Sequence, residues 1–232
     1  MPTPVSSPSL FPPFVAQASV SFDPDEPGDL ATHFPDQPLP ESLKSAVRKR
    51  QMEFLAGRHC ARRAIGACAP DHAGAPIPIG PGREPVWPAP VVGSITHVRG
   101  FASAAVARRS DASGIGLDVE LIMTDALALD VLASIATPAE LAAIVGATGW
   151  STARALTVVF SAKETIFKCL HAHVGRYFDF LDASIDELDP ASGTFQGHLV
   201  VTLTPGLPGG HRLEGRFQQD EHRVVTAMLL PP

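Results

Sequence analysis

Residues 158–170 read VVFSAKETIFKCL, and no other stretch limits the possible folds so strongly. Wound at 3.6 residues per turn, Leu156, Val159, Phe160, Ile166, Phe167 and Leu170 form one apolar stripe, so the segment is a helix that needs covering. Thr157, Ser161, Glu164, Lys168 and His171 line the flank beside the stripe, while Lys163 falls in its middle. Two readings of these charges are open. In one, Lys163 snorkels, and Glu164 with Lys168 makes an ordinary i,i+4 surface pair worth about 0.2–0.5 kcal/mol. In the other, the helix edge carries charge because a ligand meets it there.

The rest of the chain can supply the cover. Its 232 residues, 45% of them hydrophobic, suffice for one large domain or two small ones. A formal net charge of −6 argues against a general nucleic-acid binder, which needs a basic face to neutralise phosphates. Cys60, Cys68 and Cys169 form no C-x-x-C pair and read as reduced thiols. The opening MPTPVSSPSLFPPFVAQASV lacks a basic n-region, and its prolines interrupt every apolar run. No other run has the length to cross a bilayer. The expectation is a cytoplasmic protein without a nucleic-acid or membrane partner.

After an irregular, proline-rich segment over residues 1–40, a helix is expected from Glu41 or Ser42 to Ile65, with Ser42 as N-cap. Leu43, Ala46, Val47, Phe54, Ala61 and Ile65 form its apolar side, and Arg48, Arg58 and Arg62 a basic flank. A Pro- and Gly-rich loop leads to two short strands around the Arg99-Gly100 turn. In GIGLDVELI, Ile115, Leu117, Val119 and Leu121 point one way and Gly116, Asp118 and Glu120 the other, which makes a strand with one acidic face. A helix near Thr137–Ile144, the helix of the opening stretch, and strands around HLVVTLT, RLEGRFQQ and HRVVTAMLL complete an α+β chain.

A weak internal repeat lays Phe54 on Phe160 and Gly93 on Gly215. It suggests two similar α+β halves, 41–117 and 118–232, about a pseudo-two-fold axis, with the active site in the cleft between them.

Asp118 and Glu120 can reach one small volume, and Glu164 offers a third carboxylate, a donor set suited to Mg²⁺. Arg48, Arg58, Arg62, Arg83, His97 and Lys168 could hold phosphate groups. Neither a Walker A sequence nor G-x-G-x-x-G occurs, and no H-E-x-x-H or Cys/His quartet supports zinc.

Five motifs follow in order: EFLAGRHCAR, GREPVWP, GSITHVRGFASAAVA, GIGLDVE and FSAKETIFK. Together they closely resemble the 4′-phosphopantetheinyl transferases, in the longer two-half type of enterobactin synthetase component D and the surfactin-type activating enzyme. The resemblance implies Mg²⁺-dependent transfer of the phosphopantetheine arm of coenzyme A to a serine of an acyl or peptidyl carrier protein, releasing 3′,5′-ADP. It implies Asp118, Glu120 and Glu164 as Mg²⁺ ligands, Glu164 also as general base, and catalytic roles for Asp118 and Lys168. His97, Arg83 and Lys168 would meet the coenzyme A phosphates, Arg58 and Arg62 the 3′-phosphate end. Thr96, also expected at coenzyme A by the resemblance, stands where many members have serine, and Leu117 where many have isoleucine. Lys163 is expected to reach either the phosphates or loop carbonyls. A monomer is expected, since two fused halves can build the interface within one chain. Fatty-acid, polyketide, nonribosomal-peptide and siderophore carriers all remain open. The alternatives are a noncatalytic coenzyme A or carrier-binding module and a metal-dependent phosphohydrolase.

Overall fold

The computed structural model describes residues 2–5, 9–35 and 37–232. It contains two compact units, one running to Ile115 and including Leu230–Pro232, the other spanning Gly116–Leu229.

The first unit is built on an antiparallel sheet in the order β1-β2-β4-β3, formed by β1 (Thr3–Pro4), β2 (Ala16–Ser21), β3 (Val91–Val98) and β4 (Phe101–Arg108). The expectation of an irregular opening is corrected here. AQASVS is a proline-free window that pairs with β4 along its whole length, from Ala16 opposite Val106 to Ser21 opposite Phe101. A short helix α1 (Leu30–His33) follows, capped by Asp29.

The next helix, α2, is Arg48–Cys68 and begins later than Ser42. Glu41–Leu43 is a separate 3₁₀ turn, whose outgoing carbonyls at Leu43 and Lys44 accept from the Gln51 side-chain amide at 2.9 and 3.0 Å. Met52, Leu55, Ala56, Cys60, Ala61, Ala64 and Ile65 are its buried apolar side, packed with Val20, Ala102, Ala104 and Val106 of the sheet. Gly57 permits close approach, since a Cβ there would lie 2.8 Å from Ile95 Cγ2. The other face of this sheet carries buried hydroxyls: Ser94, Thr96, and Ser103, which is 2.8 Å from Ser19 Oγ.

The second unit holds an antiparallel arrangement ordered β5-β9-β8-β7-β6, with β5 (Gly114–Leu121), β6 (Ala183–Asp189), β7 (Thr194–Leu199), β8 (Arg212–Gln219) and β9 (Arg223–Leu230). Three helices accompany it: α3 (Asp125–Ile135), α4 (Pro138–Thr148) and α5 (Thr152–Val174). Thr137 and Glu140 form a capping box on α4, while Ser151 caps α5 and Gly175, with φ of 66°, ends it. The expected HLVVTLT strand stops at Leu199; Val200 still donates to the Asp182 carbonyl, and the chain bends there. No single helix among the described residues is long and apolar enough to cross a membrane.

Laying Phe54 on Phe160 brings the last residues of α2 and α5, Cys68 and Val174, into coincidence. Laying Gly93 on Gly215 carries β4 onto β9 end for end. Each unit therefore has a long helix followed by an antiparallel hairpin.

Lys163 points into the second unit's interior, where Nζ donates to Ile135 O at 2.8 Å and to Glu140 Oε2 at 2.9 Å. Glu140 Oε1 accepts from Ile185 N at 2.7 Å, beside the bulge in β6. One ion pair thus joins the end of α3, the start of α4, the middle of α5 and an edge strand. Burial pulls the Lys163 ammonium below its ordinary value, and Glu140 opposes that pull. Of the two expected destinations, the ammonium takes a carbonyl, together with a carboxylate, so it is spent inside the unit rather than offered to a phosphate.

Breaking a buried pair by removing one partner typically destabilises by about 3–5 kcal/mol, because the remaining charge is left uncompensated. Glu140→Gln and Lys163→Met are each expected to approach that loss in urea denaturation, and the double variant to lose less than the sum. Strictly additive losses would show that the two charges do not act as a pair.

Candidate functional site

Two polar constellations stand out, one in each unit. The acidic one begins at Gly116. A Cβ at this position would collide with the Thr165 carbonyl, so glycine lets β5 lie directly against α5. Two residues on, along the same strand face, Asp118 is buried beneath α5. Residues 161, 165 and 168 share a helix face, so the turns on either side of Thr165 both reach it. Ser161 Oγ donates to Asp118 Oδ2 at 2.7 Å and Lys168 Nζ donates to Oδ1 at 2.6 Å. Lys168 also lies 3.9 Å from Glu164 Oε2 and 3.4 Å from the Leu117 carbonyl. With both side chains about three-quarters covered, Glu164 and Lys168 are not a plain surface pair.

The charges here do not balance. Burial, then Asp118 and Glu164, pushes the Glu120 carboxyl up to about 8, with Lys168 opposing. Burial raises Glu164 as well, Lys168 opposing and Asp118 adding to the rise. Burial alone would lower the Lys168 ammonium, but Asp118, Glu164 and Glu120 outweigh it and raise it. Three carboxylates share one ammonium, and hard oxygen donors in excess of positive charge fit Mg²⁺, which uses one or two carboxylates and completes its shell with water and phosphate oxygens. Among the described residues no group of three or more His, Cys, Asp or Glu side chains is arranged to hold a metal ion by itself, and Lys168 holds the Asp118 oxygen that a cation would share.

The basic constellation is a cavity of about 340 Å³ in the first unit, lined by Arg50, Glu53, Phe54, Arg58, Arg83 and His97 among others. Arg50 Nη1 lies 3.2 Å from His97 Nε2; since arginine can only donate, His97 accepts there. His97 Nδ1 faces Glu53 Oε2 at 3.9 Å. The Arg58 guanidinium sits 4.8 Å over the Phe54 ring, and burial, then Arg50, pulls it down to about 10. Arg83 joins from a turn where its φ is 70°, a conformation uncommon for a residue with a Cβ.

Of the residues expected at coenzyme A, the structure thus gathers Arg58, Arg83 and His97 in one cavity. Arg62 does not line it. Thr96 is buried on the opposite face of β3, and Arg48 Nε donates to the Glu26 carbonyl at 3.0 Å. Arg50 was missed, although the i, i+4, i+8 run Arg50, Phe54, Arg58 on α2 marks it.

The chain matches known families along most of its length. Residues 39–107 match the 4′-phosphopantetheinyl transferase N-terminal domain, and residues 114–214 the 4′-phosphopantetheinyl transferase superfamily. The chain is 40% identical over 219 residues to 4′-phosphopantetheinyl transferase Svp of Streptomyces mobaraensis, an alignment covering 89% of this chain and 81% of that one. It is 35% identical over 207 residues to 4′-phosphopantetheinyl transferase PptT of Mycobacterium tuberculosis, covering 83% and 86%. Enterobactin synthase component D of Escherichia coli is 41% identical over 130 residues, covering 54% and 57%.

The raised Glu120 gives the acidic cluster a pH signature. The unfolded chain ionises this carboxyl near its ordinary 4.5, whereas the folded metal-free protein holds the proton until about 8. Between those values the folded state binds more protons, so stability contributed by Glu120 is lost as pH rises. In EDTA, thermal denaturation from pH 5 to 8 is expected to show wild type losing stability relative to Glu120→Gln. A flat or reversed difference would mean that burial and the neighbouring acids do not hold the Glu120 carboxyl above its ordinary range.

Proposed function

The chain belongs to the 4′-phosphopantetheinyl transferase family, and we propose that it transfers the phosphopantetheine arm of coenzyme A using the acidic cluster for chemistry and the basic cavity for phosphate. The observation that carries this reading is Lys168, whose ammonium joins Asp118 to Glu164 within a set of carboxylates that outnumbers the cations around it.

In the reaction, the hydroxyl oxygen of a carrier serine bonds to the β-phosphorus of coenzyme A. The pyrophosphate P–O bond breaks, and 3′,5′-ADP leaves with the electron pair. A serine hydroxyl is a weak nucleophile at neutral pH, so its proton must be removed during attack. Glu164 is the base for that proton, because burial has raised its affinity for one. Lys168 stabilises the charge that moves onto the leaving group and keeps Glu164 oriented. Asp118, Glu120 and Glu164 are the residues that would hold Mg²⁺, and bound there the ion supplies charge neutralisation at the pyrophosphate. Arg50, Arg58, Arg83 and His97 supply donors for phosphate oxygens, and the Arg58 ring contact limits how far that side chain can stray.

An apo carrier protein incubated with this chain, coenzyme A and Mg²⁺ should gain the mass of one phosphopantetheine arm on its acceptor serine; a panel of peptidyl, polyketide, fatty-acid and siderophore carriers identifies the substrate. No mass gain on any carrier, with coenzyme A hydrolysed instead, would favour a phosphohydrolase. Glu164→Gln is expected to slow single-turnover transfer by about 10²–10⁴-fold at saturating Mg²⁺, the usual worth of positioned proton transfer. Arg50→Ala should weaken coenzyme A by about 1.5–3 kcal/mol in calorimetry, the loss of a hydrogen bond to a charged group, and Arg62→Ala by much less. The opposite ranking would return the phosphate contact to Arg62.

A further inference from the structure

Behind Asp118 lies a set of hydroxyls that the transfer reaction does not itself require. Ser161, Thr165 and Thr226 are buried side by side, the first two on α5 and the third on β9. Thr226 Oγ1 donates to the Ser161 carbonyl at 2.8 Å and lies 2.9 Å from Ser161 Oγ. Thr165 Oγ1 is 2.6 Å from Thr226 Oγ1 and 3.2 Å from the Thr226 carbonyl, and Ser161 Oγ ends the chain on Asp118 Oδ2 at 2.7 Å.

Each hydroxyl has one proton to give. Thr226 spends its proton on the Ser161 carbonyl, and Thr165 spends its own on Thr226. Ser161 then chooses between the Thr226 oxygen and a carboxylate, and the carboxylate is the stronger acceptor. The Ser161 proton therefore goes to Asp118, while the Thr226 hydroxyl ties down the turn that carries Ser161 through its carbonyl. Alanine and valine would pack a helix against a strand without any polar group to satisfy, so hydroxyls at all three positions need a reason beyond packing.

We propose that Ser161, whose turn is held by Thr226 and Thr165, is a positioning residue for transfer: its hydroxyl fixes Asp118 Oδ2, so that the carboxylate keeps one orientation for Lys168 and for the divalent cation it would hold. The inference rests on the reading of Asp118 as a cation ligand. Lys168 alone cannot do this job, because a single contact to Oδ1 leaves the carboxylate free to rotate about its Cβ–Cγ bond. Partners that orient a metal-binding carboxylate typically govern affinity by about 10–100-fold.

The test is magnesium chloride affinity, measured by calorimetry on the whole chain without coenzyme A, for wild type, Ser161→Ala, Ser161→Thr, Thr226→Val and Asp118→Asn, with thermal denaturation of each. Ser161→Ala is expected to bind Mg²⁺ about 10–100-fold more weakly. Ser161→Thr, which keeps the hydroxyl, should restore affinity, and Thr226→Val should show an intermediate loss. In transfer assays at fixed Mg²⁺, Ser161→Ala should lower kcat while KM for coenzyme A stays near wild type. If Ser161→Ala does not fold, Thr226→Val carries the test alone, and wild-type affinity in it overturns the proposal. Wild-type affinity in Ser161→Ala while Asp118→Asn loses it overturns the positioning role and leaves the ligand reading intact. Wild-type affinity in Asp118→Asn overturns both.

Discussion

The acidic cluster depends on one close approach. Gly116 has no Cβ, so β5 can press its backbone against the Thr165 carbonyl of α5, and only then do Ser161 and Lys168 both reach Asp118. A methyl group at 116 would push strand and helix apart along the contact that gathers the cluster. Holding a carboxylate by both oxygens from one rigid helix restricts its orientation more than a flexible surface pair could. The glycine, the hydroxyl and the ammonium therefore form one device, assembled from a strand and from two successive turns of a helix.

Two lysines on α5, five residues apart, show how environment divides one residue type between structure and chemistry. Lys163 pairs with Glu140, with Asp179 a weaker neighbour, in a closed site where the Glu140 oxygens and the Ile135 carbonyl are all engaged. Its charges balance, and nothing is left over for a ligand. Lys168 meets an excess of acid in a half-open site, where burial first and the neighbouring acids second hold the Glu120 and Glu164 carboxyl groups above their ordinary range. Buried pairs give limited net stability because desolvation offsets their attraction. The Lys163 pair has a further consequence, in that it ties four elements together next to Glu164.

The first unit handles charge differently. Its cavity gathers guanidinium groups, of which Arg58 is lowered by burial first and by Arg50 second, and Glu53 and the Phe54 ring stand beside them. An arrangement of this kind costs stability when empty and gains when an anion enters. Membership in a family that uses coenzyme A supplies an anion of the right kind, and the arginines arrive along α2 at helical spacing, from a helix whose other side is committed to the core.

Some of this was legible from the residues alone because it is a property of a single element. The alternation in GIGLDVELI puts Asp118 and Glu120 on one strand face wherever that strand is placed, and the apolar stripe of FSAKETIFK makes a buried helix with Glu164 and Lys168 at its edge. The order of the motifs carried the family. Proline density hid the strand Ala16–Ser21, whose identity comes from its pairing with β4 rather than from its own composition. Periodicity put Lys163 among apolar residues but could not supply its partners, Glu140 and Ile135, which lie more than twenty residues away in the chain. Ser161 looked like a flank residue until Thr226 and Asp118 closed around it, and Arg50 gained meaning only when a cavity opened beside it. Local pattern determines which way a side chain leaves its element, and packing between distant segments determines what it meets there.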